Sequence, residues 1–277
     1  MATEKNPVEE ALAHADERRI LLIDAGSVLY PAYHVLKGFS TSTGFPTGAV
    51  FGFTRTLLKI LREYPSRYAA VAFDAKGETR RRQRYAEYKA QRPAMADDLA
   101  VQIPKAKEIV DALGLARFEV PGYEADDVVA TLAQLARERG LTVLIMSNDK
   151  DLMQLAGDGI FIIKPRHDMR GDVELLDAQG VQRYLGVPPE KIRDYLALVG
   201  DAVDNIPGVP GIGEVTARKL LEEYGSLHAI LENAEKIKSK RVREALVENR
   251  DLAILSYELV RLEMAPLPRE PDPIERC

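Results

Sequence analysis

Cysteine is almost absent: the 277 residues include one, Cys277 at the last position. A single thiol excludes an internal disulfide framework and leaves no cysteine cluster for zinc. Long apolar runs are missing as well, and none approaches the ~20 residues that would span a bilayer. The opening residues, MATEKNPVEEALAHADERR, are charged and hold no apolar segment of a secretory signal. A cytoplasmic protein with no membrane partner is therefore expected. No internal repeat or low-complexity segment is present. What remains, 46% hydrophobic and 29% charged, is ordinary for a globular chain of one large or two modest domains.

Positive charge is also short. The net charge is −5 with a pI near 5.6, which taken as a sum argues against a nucleic-acid partner. The distribution says otherwise. Between residues 76 and 92 stand seven cations, Lys76, Arg80, Arg81, Arg82, Arg84, Lys89 and Arg92, against Glu78 and Glu87. Tyr85 and Tyr88 are interleaved, as expected where rings stack on unpaired bases while cations follow phosphates. A solvated helix face is the plainer reading of such a run. Here the run follows directly on Asp74, and Lys89 and Arg92, three apart, could polarise one phosphate.

Three apolar stretches end in aspartate: RRILLIDAG at Asp24, RYAAVAFDAKG at Asp74 and LTVLIMSNDKD at Asp149 and Asp151. Each reads as a buried strand with a polar residue at its carboxyl end. FEV and GIFIIKP add two shorter candidates. Between them PTGAVFGFTRTLLKILREY (Thr47 as cap), AVQIPKAKEIVDALGL and GYEADDVVATLAQLARERG read as helices. Strands alternating with helices predict a parallel α/β sheet covered on both faces, with ligands at the strand carboxyl ends. From about Leu176 the pattern turns helical, and the Pro-rich tail PLPREPDPIERC is expected to be extended.

The stretch GDAVDNIPGVPGIGE, Gly200 to Glu214, joins two chemistries. If the preceding helix continues through Asp201 and Asp204, the two share a face, about 300° around at ~100° per residue. Gly208, Gly211 and Gly213 then predict a tight turn with accessible backbone N–H groups, followed by a helix carrying Lys219. A glycine hairpin between helices grips phosphates without reading bases.

Nine carboxylates thus fall at sites of this kind: Asp24, Asp74, Glu124, Asp126, Asp127, Asp149, Asp151, Asp201 and Asp204. Each has a plainer reading. A strand-end Asp is often a turn or cap residue, and Glu124, Asp126 and Asp127 could simply complement a helix N-terminus. The recurrence over three strands and two helices favours a common role. Gathered acids need cations, and with no His or Cys among them the donor set is all oxygen, which suits Mg²⁺ or Mn²⁺. Two such ions about 4 Å apart can activate a water and stabilise the leaving oxygen of a phosphodiester.

The ordered set LLIDAGSVLYPAYH, AVAFDAKGETRRRQRYAEYKAQRP, VPGYEADDVVATLA, LIMSNDKDLMQL and LALVGDAVDNIPGVPGIGEVTARKLL resembles the 5′-nuclease domain of bacterial DNA polymerase I, in the flap endonuclease superfamily. The resemblance covers residues 19–265. It implies a resolvase-like (PIN-like) parallel α/β sheet with helices on both faces, a helical arch and a C-terminal helix–three-turn–helix region. The implied division is a flexible leader over 1–18, a nuclease core over 19–178 with a basic arch at about 76–100, a helical DNA-binding subdomain over 179–265 with its hairpin at 208–213, and a tail or linker over 266–277.

The resemblance further implies metal-dependent 5′–3′ exonuclease and flap endonuclease action in replication and repair, including primer removal. The nine acids match the family's metal ligands, and Tyr88, Lys89 and Arg92 match its catalytic arch residues. Lys76, Arg80, Arg81, Arg82, Arg84, Tyr85, Gly208, Gly211, Gly213 and Lys219 are the implied DNA contacts. Mg²⁺ or Mn²⁺ is implied at the acids, and K⁺ at the 208–213 hairpin. Partners would be DNA with a 5′ flap, nick, gap or RNA primer, and a DNA polymerase in cis or trans. A monomer associated with the bacterial nucleoid is expected, either as a stand-alone nuclease or as part of a longer polymerase. Three positions depart from the family pattern: Ala25 where glycine is usual, Pro31 where arginine is usual, and Arg80 where an aromatic is common. Pro31 removes a charge and an N–H, so redistributed substrate contacts are expected there. Two other readings account for part of this sequence. A binding module for DNA structures, without catalysis, would have lost several of the acids. A toxin-type ribonuclease would lack the hairpin and the later helices.

Overall fold

The computed structural model describes residues 18–165, 173–268 and 272–277. The predicted leader lies outside these residues, apart from Arg18. Two compact units emerge: residues 1–77, 94–177 and 263–277 form one, and residues 78–93 with 178–262 the other. The basic run, expected as an arch on the core, groups from residue 78 to 93 with the second unit.

The first unit is built on a six-stranded sheet in the order β3-β2-β1-β4-β5-β6. The strands are β1 (Arg19–Asp24), β2 (Tyr68–Ala72), β3 (Ala116–Phe118), β4 (Thr142–Met146), β5 (Ile160–Pro165) and β6 (Val173–Leu176). All neighbours are parallel except β5 and β6, which pair antiparallel from Ile162↔Leu176 to Pro165↔Val173. The antiparallel β6 was not read from sequence. Its four residues VELL are too short and too mixed to signal a strand.

Every residue of β1 is buried, so both faces of the sheet are covered at its centre. Fully burying each of Ile20, Leu21, Leu22 and Ile23 contributes about 1.5–3 kcal/mol over leaving it exposed. The covering helices are α1 (Gly26–Val35), α2 (Gly48–Glu63), the short α4 (Asp97–Ala100), α5 (Ile103–Ala112) and α6 (Ala125–Glu138). In α2, Ala49, Phe53, Leu57 and Ile60 recur at helical spacing and supply the core face. Thr47 occupies the cap position of α2 but accepts no capping bond there. The strand order reverses between β1 and β4, so the switch-point crevice opens at the carboxyl ends of these two strands. The tail does not end as an extended segment: the last residues form a turn, with Ile274 buried.

The second unit is helical: α3 (Arg80–Arg84), α7 (Ala178–Leu185), α8 (Ile192–Val199), α9 (Glu214–Tyr224), α10 (Leu227–Glu232), α11 (Lys240–Glu248) and α12 (Arg250–Leu259). Helix α8 stops before Asp201, because Gly200 adopts φ +79 and leaves the helix. Asp201 and Asp204 therefore do not share a helix face, contrary to the conditional reading above. Asp201 exchanges two backbone bonds with Ile206, and its side chain accepts the Val203 N–H at 2.8 Å. The loop closes on Gly208 at φ +62, where an added Cβ would lie 2.4 Å from the Gly200 nitrogen and 2.6 Å from the Val199 carbonyl carbon. That contact is backbone against backbone and cannot relax by a rotamer change. Gly208→Ala is expected to destabilise the chain by at least about 2–3 kcal/mol, read as a lower urea midpoint at unchanged slope.

Candidate functional site

Asp24 ends β1 at the switch point and is buried. One of its oxygens accepts the Gly26 N–H at 2.9 Å, at the start of α1. The other accepts from Ser27 Oγ at 2.5 Å and Ser147 Oγ at 3.1 Å. The two hydroxyls lie 2.8 Å apart, so the serines bridge the start of α1 to the loop after β4. That loop is itself pinned by the same hydroxyls: Ser27 Oγ accepts the Asn148 N–H at 3.0 Å, and Ser147 Oγ accepts the Asp149 N–H at 3.0 Å. Asp149 in turn accepts the Asp151 N–H at 2.8 Å, setting the 3₁₀ turn Asp151–Leu155. Ser27 and Ser147 were missed in the sequence. Their signal is slight, since a serine beside an acidic loop is common and only the β1–β4 pairing brings these two together.

Pro31 sits inside α1 and has no N–H for the Ser27 carbonyl one turn back. Asn148 Nδ2 approaches that carbonyl at 3.5 Å. The proline thus exchanges a helix bond for a contact to the β4 loop.

Asp24 feels two more acids. Its pKa is raised from 3.8 to about 6: burial is the largest cause and the charges of Asp74 and Asp149 add to it, while the Ser27 and Ser147 bonds oppose it. Asp74, past the end of β2, is exposed and accepts the Ala125 N–H at 2.9 Å, which places it at the N-terminus of α6. Glu124 is buried at that helix start, and Asp126 is half-buried. Asp127 is committed elsewhere: its two oxygens accept the Glu124 N–H at 3.1 Å and the Glu263 N–H at 2.8 Å. Asp127 thus fills the cap role at the start of α6 and also holds the chain at residue 263. Among the described residues no three His, Cys, Asp or Glu side chains form a ready-made metal cage. The arrangement is instead an open one of two or three carboxylates. Mg²⁺ commonly accepts this, because it keeps several waters and uses one or two protein carboxylates plus substrate oxygens.

The second unit has its own acidic centre, Asp204, buried in the loop after α8. Tyr88 donates its hydroxyl to Asp204 at 3.1 Å, Arg92 bonds the other oxygen at 2.5 Å, and the Lys89 ammonium lies 3.5 Å away. Burial pushes the Asp204 carboxyl up, but Lys89, Arg92 and the two hydrogen bonds outweigh it and hold the group below its usual value. Lys89 adopts φ +54, with its N–H donated to the Asp204 carbonyl at 2.9 Å, a strained backbone held at a candidate catalytic residue. Gln91 and Asn205 add bonds to the Ala202 and Glu87 carbonyls at 2.7 Å each, so the whole segment is tied to this loop.

Three residues read as DNA contacts or stacking rings are placed differently. Arg81 is 3% exposed and donates to the carbonyls of Leu259 at 2.9 Å and Arg261 at 2.7 Å, so it clamps the end of α12. Tyr88 is 1% exposed and has no face for a base. The Gly208 N–H is not available to a phosphate, because it donates to Ser256 Oγ at 3.0 Å inside the unit. Lys76, Arg80, Arg82, Arg84, Gly211, Gly213 and Lys219 are exposed, and Tyr85 is half-buried.

A buried, oxygen-only acid at the switch point of a parallel sheet, joined to a helical unit with a glycine hairpin, defines a resolvase-like nuclease architecture. The match to family models is explicit: residues 19–186 match the 5′–3′ exonuclease N-terminal resolvase-like domain, and residues 187–275 its C-terminal SAM fold. This chain belongs to the 5′–3′ exonuclease family. It is 44% identical to a 5′–3′ exonuclease of Aquifex aeolicus over 88% of this chain and 82% of that one. It is also 44% identical to the thermostable DNA polymerase I of Thermus aquaticus, over 92% of this chain but 29% of the polymerase. The chain thus spans under a third of the length of that polymerase.

Among solved structures, a bacteriophage T5 5′-exonuclease with bound zinc superposes with a TM-score of 0.70 at 20% identity, covering 88% of this chain and 90% of that one. The catalytic core of Rad2 with a DNA substrate superposes with a TM-score of 0.58 at 20% identity, covering 91% and 83%. These two likenesses establish the fold.

The electrostatics of Asp24 carry a sign. Its folded pKa of about 6 exceeds the ordinary 3.8, so the protonated form is favoured in the fold. Its contribution is fully present below pH ~4 and is lost as pH rises through ~6, about 3 kcal/mol at most. In EDTA, urea titrations should show stability falling across this window, and Asp24→Asn should remove that fall. For Arg81, replacement by Met removes the donor to the buried Leu259 carbonyl and to the part-buried Arg261 carbonyl and should cost about 1–3 kcal/mol. Arg82→Ala, at an exposed site, should stay within about 0.5 kcal/mol in the same unfolding assay.

Proposed function

We propose that this nuclease hydrolyses phosphodiesters at the 5′ ends of flapped, nicked, gapped or primer-bearing DNA, with divalent cations held by its carboxylates. The observation that carries the reading is Asp24, buried at the β1 end with Asp74 and Asp149 close enough to raise its pKa. Such mutual repulsion is relieved by a cation, and an all-oxygen donor set suits Mg²⁺ or Mn²⁺. Bound cations would supply an activated water and charge stabilisation at the scissile phosphate.

The chain's own residues do the rest. Ser27 and Ser147 fix the orientation of Asp24 and carry Asp149 into register with it. Asp74, Glu124, Asp126 and Asp151 complete the acidic rim of the first unit, and Asp201 and Asp204 are the acids of the second. Lys89 and Arg92 bring positive charge for a phosphate, and to do so they exchange their bonds to Asp204 for bonds to substrate. Tyr88 acts by positioning Asp204 rather than by stacking. The exposed Lys76, Arg80, Arg82 and Arg84 track the strand backbone, and Gly211, Gly213 and Lys219 hold duplex phosphates. Phosphate contacts of this kind select shape and not sequence. K⁺ at the 208–213 hairpin belongs to the same reading, through backbone carbonyls. Primer removal and flap trimming beside a DNA polymerase, in cis or trans, is the accompanying role in the bacterial cytoplasm.

Pro31 favours a second reading, a DNA-structure-binding module with weakened catalysis, because it removes a cation and an N–H from α1. One assay separates the two. A 5′-labelled flap duplex should be cut near its junction with Mg²⁺ or Mn²⁺ and left intact in EDTA, and Asp149→Asn should abolish cutting. Arg92→Ala should lower kcat by roughly 10²–10³. Binding of the flap with no cutting under either metal would sink the nuclease reading and leave the module.

A further inference from the structure

Helix α2 is used on one side only by the core, through Ala49, Phe53, Leu57 and Ile60. Its outer side carries Phe51, Arg55, Leu58 and Arg62, all exposed, with Lys59 at the flank. Arg55, Leu58, Lys59 and Arg62 line one open cleft of about 380 Å³. Positions 55, 58, 59 and 62 stand at i, i+3, i+4 and i+7, which is one stripe of a helix. Glu63 is the one acid of α2 and lies 3.9 Å from Lys59, so the stripe keeps a net positive charge. Phe51 and Leu58 are about half exposed among these cations. A bare phosphate chain would make no use of them. The face suits a segment that brings acids and apolar side chains together.

The chain itself supplies such a segment. Residues 1–17 hold five acids, Glu4, Glu9, Glu10, Asp16 and Glu17, against one side-chain cation, Lys5. Val8, Ala11, Leu12 and Ala15 repeat the i, i+3, i+4, i+7 spacing of the α2 stripe. Glu9 and Asp16 are seven apart, as are Arg55 and Arg62. These residues precede the described part of the structure.

The fold sets the point from which they depart. Strand β1 starts at Arg19, whose Nη1 donates to the Pro65 carbonyl at 3.0 Å, two residues past the end of α2. Ile20 pairs with Tyr68, so β1 begins beside the strand into which α2 leads. Arg62 is the stripe cation nearest that turn in the chain, and Arg55 lies about 10 Å further along the helix axis. Seventeen residues reach that far even at a compact ~1.5 Å per residue.

We propose that the acidic leader, residues 1–17, docks on the outer face of α2, with Val8 and Leu12 against Leu58 and its acids on Arg55, Lys59 and Arg62. The docked leader covers the apolar side chains of the stripe and withholds its three cations from nucleic acid. The inference stands apart from the nuclease reading.

The test is electron spin resonance of the full chain with one nitroxide at Ala13→Cys, off the apolar stripe of the leader. A Cys277→Ser background leaves the label a single thiol. Docking gives a broad, slow-motion spectrum at low salt. Glu9→Lys with Asp16→Lys should convert most of it to narrow lines, and this pair leaves α2 untouched. Arg55→Glu with Arg62→Glu, both at exposed sites, should do the same, and joining the two pairs should restore the broad component. Narrow lines in the parent chain overturn the proposal, and so do broad lines that neither reversal changes. Weaker binding of a flap duplex by the Arg55→Glu, Arg62→Glu variant, with the label's spectrum unchanged, also overturns it and gives the face to nucleic acid. Cutting is not the readout, so each of these results leaves the nuclease reading where it stood.

Discussion

The burial of one carboxylate, Asp24, at the end of the central strand is the constraint on which the first unit depends. Burying an acid without a cation is costly, and the fold meets the cost with an N–H, two hydroxyls and a raised pKa. The bonds that satisfy Asp24 also set the loop bearing Asp149 and Asp151. Positioning of the acids and satisfaction of a buried charge are one hydrogen-bond network. An acid more exposed to water, such as Asp74, needs no such support and takes only a helix N–H.

The second unit solves the same problem with two cations and one hydroxyl. Asp204 is buried against Tyr88, Lys89 and Arg92, and the strained φ of Lys89 is held by the same loop. Breaking such a pair would leave a buried carboxylate uncompensated, which ties the conformation of the 78–93 segment to that of the loop. The close packing of Gly208 on Gly200 fixes the backbone of that loop.

Charge in this chain is sorted and not balanced. Acids gather at strand ends and in the loop after α8, whereas cations gather over residues 76–92 and 236–243. A net charge of −5 therefore says little about partners. Not every cation in a basic run faces outward, and Arg81 shows the exception: its guanidinium is consumed by two backbone carbonyls.

Much of the architecture was legible in the sequence because it rests on local signals. Apolar runs closed by Asp24, Asp74 and Asp149 mark parallel strands, and the 3.6-residue spacing of α2 and α6 marks their helices. The nine acids and the glycine hairpin stood out by residue type and order. What sequence could not decide was which way a side chain points and what it meets across the fold. Whether Asp201 and Asp204 ride a helix turned on the φ of Gly200, a backbone choice that glycine leaves open. Whether Arg81 and Tyr88 meet solvent turned on packing within the second unit. The roles of Ser27 and Ser147, 120 residues apart, exist only because β1 pairs with β4. Sequence determines the chemical inventory and the local periodicity, which act over a few residues. Tertiary structure alone decides burial and partners, because those are fixed by contacts between residues far apart in the chain.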